Sequence, residues 1–212
     1  MTSANSSNYD SVAEDLFQSY HAFQSRMEEL EQILKARDAL ATLKYVDESL
    51  TNRKELSRDG LISEIAQYSR SNPSRTLDYH AINEATVVLL SAYLEGFIEE
   101  LHTEAMRQLL DERVKSSGVL EALLEYAQER FGNPILDRIA ELFSTCCIEN
   151  IISTLKIDKG EIGRFLKIRN QVAHGEHPPV AGQDVETWVK LVLRFAEELS
   201  WVVEGEIIAM KL

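Results

Sequence analysis

The stretch Val87-Val88-Leu89-Leu90-Ser91-Ala92-Tyr93-Leu94-Glu95-Gly96-Phe97-Ile98-Glu99-Glu100-Leu101 decides the fold class. Its apolar residues recur at steps of three and four and fall on nearly every side of a helical wheel. The pattern predicts a central helix, buried on several faces, within a helical segment from Leu77 to about Lys115. No segment of the chain sustains the period-two alternation of a half-buried strand.

Downstream, shorter helices are expected at about 119–130 and 134–147, separated by Gly132-Asn133-Pro134, with Pro134 in the first turn of the second. Another helix is expected at 160–174, stopped by Gly175 as its C′ residue and by Pro178-Pro179. The last helix is expected to start at Asp184 as N-cap, with Val185, Trp188, Val192, Phe195, Leu199 and Val202 on one face. Upstream, Leu16, Tyr20, Phe23, Met27, Leu30 and Leu34 step by three and four through a helix from about Tyr9 to Lys44. That stripe fits a helix packed on the bundle, and it fits an intermolecular coiled coil. Residues 45–76 are more polar, with breakers at Asp59-Gly60 and Ser71-Asn72-Pro73-Ser74 and a short helix expected near 61–69. The Pro73 loop divides residues 1–76, a disordered leader plus a helical extension, from a helical domain at 77–212. The fold class is all-α, a multi-helix antiparallel bundle.

Composition agrees. Glycine (9) and proline (4) are scarce in 212 residues, where an all-β chain would spend both on frequent turns. A chain of this length buries ~70% of its unfolded surface without metal or disulfide staples. The formal charge of −13 excludes a whole-surface affinity for nucleic acid and leaves room for a local basic site. Cys146 and Cys147 are adjacent and read as reduced thiols. The Ser- and Asn-rich residues 1–11 carry no apolar core of a signal peptide. The longest apolar run, Val87 to Leu94, is broken by Ser91 and falls short of the ~20 residues of a membrane span. These features predict a cytoplasmic protein with no membrane association.

Gly160-Glu161-Ile162-Gly163-Arg164-Phe165-Leu166-Lys167-Ile168-Arg169-Asn170-Gln171-Val172-Ala173-His174-Gly175 is the one segment that carries chemistry. On a wheel, Arg169 falls within the stripe of Ile162, Phe165, Leu166, Val172 and Ala173. A guanidinium keeps its charge, so such an arginine needs a core carboxylate or a cleft built for an anion. Asn170 and His174, four apart, share one flank. Residues 154–174 hold five cations against two acids, a basic island suited to a phosphate, with Arg164 and Lys167 as candidate phosphate-binding residues. A His favoured at a helix C-terminus and an Arg tied to a carboxylate would read the same segment without any function.

Arg169-Asn170-Gln171-Val172-Ala173-His174-Gly175 resembles the R-N-x-x-A-H-G form of the R-x4-6-H motif of HEPN domains (higher eukaryotes and prokaryotes nucleotide-binding). Leu90 to Glu99 resembles an early helix of bacterial members, and the likeness covers about 77–212. The resemblance implies an all-α fold with this motif near the end of a late helix. It also implies a metal-independent endoribonuclease, without cofactor, acting in toxin–antitoxin or antiphage-defence systems. In such enzymes the RNA 2′-OH attacks the adjacent phosphate and leaves a 2′,3′-cyclic phosphate. Arg169 would stabilise the phosphorane, His174 would transfer protons and Asn170 would position them. One His per chain leaves the reaction short of an acid or a base, and HEPN dimers bring two motifs to one cleft. A homodimer or higher oligomer and a regulatory or antitoxin partner are therefore expected. Some members have a modifiable Tyr two residues after the motif His; Glu176 stands there instead. Other members bind nucleotides or proteins without catalysis, which is the alternative.

Ser91, Glu95, Glu99 and His102 form a polar stripe that reads as a solvated edge, with Glu95 as the carboxylate for Arg169. Glu99-x-x-His102 has di-iron spacing but lacks a second pair, and no metal is assigned. His21 and His80 read as surface or capping residues, and His177, in the loop after the motif, as plain loop or a substrate contact.

Overall fold

A computed structural model describes residues 18–39, 80–110, 118–131 and 135–211. Every regular element among them is a helix, as the apolar periodicities predict: α1 (18–39), α2 (His80–Leu109), α3 (Val119–Phe131), α4 (Leu136–Ser144), α5 (Ile151–Thr154), α6 (Lys159–Ala173) and α7 (Gly182–Lys211). The leader, the short helix at 61–69, the boundary at Pro73 and the Gly132-Asn133-Pro134 break lie outside the described residues.

Helix α2 is the centre of the bundle and packs against α3, α4, α6 and α7. Val87, Leu90, Leu94, Phe97, Ile98 and Leu101 are fully buried. They mark one broad face rather than every side. Val88 and Ala92 are exposed on the opposite flank, so the expectation of burial nearly all round is too strong. By length and composition α2 also passes as a membrane span, which the run from Val87 to Leu94 alone does not suggest. Its apolar face is instead spent on neighbouring helices.

Helix α1 lies on the bundle of its own chain. Phe23, Met27, Leu30 and Leu34 join the common core, and the Phe23 ring sits 5.0 Å from that of Phe97 on α2. Full burial of one such side chain is worth ~1.5–3 kcal/mol. Arg37, near the end of α1, is 5% exposed and works as a clamp. Its Nη1 donates to Asn83 Oδ1 (3.1 Å) and its Nη2 to Glu186 Oε1 (3.0 Å). Asn83 Nδ2 donates in turn to the Val180 carbonyl oxygen (3.0 Å). One guanidinium thus ties α1 to α2, to α7 and to the loop that follows α6. Removing residues 1–44 would strip four core side chains and leave Asn83 and Glu186 without their cation. The truncated protein is expected to aggregate or to change its number of protomers. Light scattering after size-exclusion chromatography checks this, and a soluble particle of unchanged stoichiometry would show the extension to be dispensable.

Three element ends differ from expectation, the first being that of helix α2, at Leu109 rather than about Lys115. Helix α7 starts at Gly182, so Ala181 is its N-cap and Asp184 its third residue. Asp184 Oδ2 accepts from the Ala181 N–H at 3.3 Å, the reciprocal half of a capping box. Helix α4 stops at Ser144 rather than 147, because the chain turns through Cys147 at φ +59°. Both cysteines are free; Cys146 is buried, which pushes its thiol up to about 12, and Cys147 is exposed.

Candidate active site

Helix α6 carries the site. Asp158 caps it by accepting from the Glu161 N–H (3.1 Å), and Ile162, Phe165 and Leu166 anchor it in the core. The remaining turns of α6 then present three flanks with different duties.

On the flank toward α2, Arg169 is mostly buried, and its Nη2 lies 3.6 Å from Glu95 Oε2. Glu95 and Glu99 are half-buried. Burial raises the Glu95 carboxyl above the usual range, and the Arg169 guanidinium pulls it back. Burial, with the nearby Glu95 and Glu100 charges, raises Glu99 as well. Ser91 and His102, by contrast, are fully buried, so the polar stripe of α2 is not a solvated edge. The His102 Nε2 lies 2.8 Å from Thr145 Oγ1, which commits its imidazole to the turn after α4.

A second flank of α6, the one with Asn170 and His174, faces α4 across an open cavity of about 540 Å³. Lys167, Asn170, Gln171 and His174 line it from α6, and Ile135, Leu136 and Asp137 line it from the start of α4. Asn170 bridges the two flanks, because its Oδ1 accepts from Arg169 Nη1 at 3.1 Å. His174 is the C-cap of α6 and is exposed. Its backbone is fixed by a Schellman arrangement: the Gly175 N–H reaches the Val172 carbonyl (3.0 Å) and the Glu176 N–H that of Gln171 (2.9 Å). Gly175 is the C′ residue at φ +77°, as expected from sequence. A Cβ there would meet no neighbour within 4 Å, so the cost of Gly175→Ala is conformational, ~1–2 kcal/mol. The check is a melting temperature for Gly175→Ala beside wild type.

The structure therefore brings Arg169, Asn170, His174, Lys167 and Glu95 to adjoining flanks of one helix end. It does not bring Arg164 there. Five residues before Arg169, that side chain sits on a third flank, where Nη2 pairs with Asp184 (2.9 Å), Nη1 meets Glu161 (3.5 Å) and the guanidinium lies over Trp188. The expectation that Arg164 binds phosphate meets a guanidinium already engaged by two carboxylates. His177 is more than plain loop: its Nδ1 lies 3.1 Å from Glu84 Oε1, and His80 Nδ1 approaches the same oxygen at 3.1 Å. His21 is exposed, beside Gln24. Sequence reading missed the α4 wall of the cavity, because residues 30 positions away meet α6 only in the fold. It could have found Gln171, which follows Lys167 by one turn.

The RiboL-PSP-HEPN family model matches residues 52–204. No curated protein and no solved structure matches the chain significantly. With an all-helical bundle, and with the Arg-Asn-x-x-Ala-His-Gly segment closing α6 ahead of one more long helix, the match over most of the sequence leaves one assignment: the chain belongs to the RiboL-PSP-HEPN family, a HEPN family.

Proposed function

We propose that this protein is a metal-independent endoribonuclease that cleaves RNA by attack of the 2′-OH on the adjacent phosphate. The family is one of RNA- and nucleotide-directed domains, which supports the coarse reading. The observation that carries the finer one is the division of labour at the end of α6. Arg169 is held by Glu95 and Asn170, while the His174 imidazole makes no hydrogen bond or ion pair with the described residues and stands open beside a cavity. An imidazole that serves only as a structural cap would be expected to be tied down.

In the reaction, His174 takes the proton from the 2′-OH or gives one to the departing 5′-oxygen. Arg169 lends charge to the pentacoordinate phosphorus, and Asn170 keeps guanidinium and imidazole in register. Lys167, on the same flank as His174, meets a phosphate. One imidazole cannot be base and acid in the same step. The second comes from a partner copy, so the active form is a two-fold homodimer with both motifs facing one cleft. Light scattering at micromolar concentration is expected to show a dimer or larger particle, and a strict monomer would remove the composite site. A toxin or antiphage-defence effector in the cytoplasm, restrained by a regulatory or antitoxin protein, is the setting that such an activity requires.

The test is incubation of the purified protein with total RNA in EDTA, followed by end-group analysis. Fragments with 2′,3′-cyclic phosphate and 5′-OH ends are expected. Intact RNA would favour the second reading, a catalytically silent nucleotide- or protein-binding module in which Arg169 serves only its ion pair with Glu95.

A further inference from the structure

The cavity beside His174 has a composition that a phosphate-binding groove would not need. Its floor is apolar, built from Ile135 and Leu136 at the start of α4 and Leu166 on α6. Ile135, one of these apolar lining residues, is 39% exposed. Its rim carries two carboxylates, Asp137 on α4 and Glu176 past the end of α6, and one cation, Lys167. Gln171 closes the side next to Glu176 by donating from Nε2 to Glu176 Oε2 at 2.8 Å. About 540 Å³ falls within the ~300–1,000 Å³ of small-ligand pockets and is too little for a duplex.

A carboxylate repels phosphate and accepts hydrogen bonds from base N–H groups. An apolar floor suits the face of an unstacked base, which single-stranded RNA can offer. Lys167, two turns before His174 on the same flank, lines the same cavity and offers a cation to the phosphate attached to such a base. Gln171 already takes one oxygen of the Glu176 carboxylate, whereas neither Asp137 oxygen is engaged among the described residues, which makes Asp137 the reader of the base edge. Two carboxylate oxygens match two adjacent donors. Guanine alone among the four bases has that edge, N1–H beside N2–H. Adenine and cytosine place a ring acceptor next to their amino group, and uracil flanks its single N–H with carbonyl oxygens.

We propose that the cavity between α4 and α6 is a subsite for one unstacked guanine, with Asp137 as its specificity-determining residue and Lys167 on the neighbouring phosphate. The subsite rests on the ribonuclease reading for its biological substrate, but nucleotide binding tests it without turnover. The experiment titrates the full chain with guanosine, adenosine, cytidine and uridine 3′-monophosphates and with inorganic phosphate, followed by chemical-shift perturbation.

Guanylate is expected to bind roughly ten- to hundredfold more tightly than the other three nucleotides. Asp137→Asn should erase that preference, since an amide offers one acceptor where the carboxylate offers two. Lys167→Gln should weaken all four nucleotides alike. Equal affinity for the four nucleotides, or a guanylate preference that survives Asp137→Asn, would overturn the assignment. Guanylate selectivity in a protein that leaves RNA intact would keep the subsite and remove the ribonuclease. Cleavage without guanylate selectivity and without guanine enrichment at the cut ends would do the reverse.

Discussion

His174→Ala is expected to lower RNA cleavage by ~10²–10⁴ while leaving the protein folded. The two halves of that expectation come from different facts. His174 is exposed and its side chain binds nothing described, so its loss removes no packing. The stability cost is a helix-terminus contact of ~0.3–1 kcal/mol. Its chemistry, in contrast, has no substitute within the chain, because no other imidazole lines the cavity. Arg169→Ala is expected to behave differently. It removes the cation that faces Glu95 and the donor to Asn170, so both activity and melting temperature should fall. Arg169→Lys keeps the charge but loses the fork that reaches Glu95 and Asn170 together, and should recover stability more than rate. The measurements are cleavage rate and melting temperature for wild type and the three variants, with EDTA present. Full activity in a folded His174→Ala protein would end the proposed mechanism. Equal loss of rate and stability in every variant would mean that the motif only holds the bundle together.

What could be read in the chain and what could not divide along a physical line. Periodicity is a local property: it locates α2, and predicts α6 and the start of α7 to within two residues, because each buries an apolar stripe long enough to set its phase. The Gly175 stop is equally local, since only a residue free to adopt positive φ closes a Schellman turn cheaply. The pairing of Arg169 with Glu95 could be guessed from an arginine inside an apolar stripe that must find a carboxylate. The fate of Ser91 and His102 could not. They sit at helical spacing with Glu95 and Glu99, and a wheel shows that four residues share a face but not how far a neighbouring helix covers it. Thr145 reaches His102 from a turn 43 residues away, while the Glu99 end stays half-open. The surroundings of Arg164 were hidden for the same reason. Its charge counts in a basic island, but Asp184 and Trp188 arrive from α7 and take it. Arg37 carried no signal at all in the sequence. It is one of several charges on α1, and its burial is decided by Asn83 and Glu186 on other helices.

His102 should also make the protein acid-labile over a defined range. The Thr145 hydroxyl donates to the Leu142 carbonyl oxygen at 2.6 Å, so it can only accept from His102 Nε2–H. That leaves Nδ1 as the bare lone pair, buried and without a hydrogen-bond partner among the described residues. The His102 and Phe143 rings meet edge to face, with centroids 5.8 Å apart. Burial therefore pushes His102 down from 6.5 to about 4. The unfolded chain takes up a proton as pH falls through 6.5, and the native state does not until about 4. Stability is unaffected by this residue above neutral pH. It declines as pH drops between those values, and the full difference is about 3 kcal/mol. Against a typical total of ~5–15 kcal/mol that is a large share. Glu95, Glu99 and Glu204, raised by burial, act with the opposite sign, since the native state holds their protons more tightly. The His102 contribution is isolated by a difference. Urea denaturation of wild type and His102→Gln at pH 7.5 and pH 4.5 should show the wild type losing roughly 2–2.5 kcal/mol more than the variant over that interval, most of the full difference. Glutamine can still donate to Thr145 but cannot titrate. Parallel losses in the two proteins would mean that His102 takes up its proton as readily in the native state as in the unfolded chain.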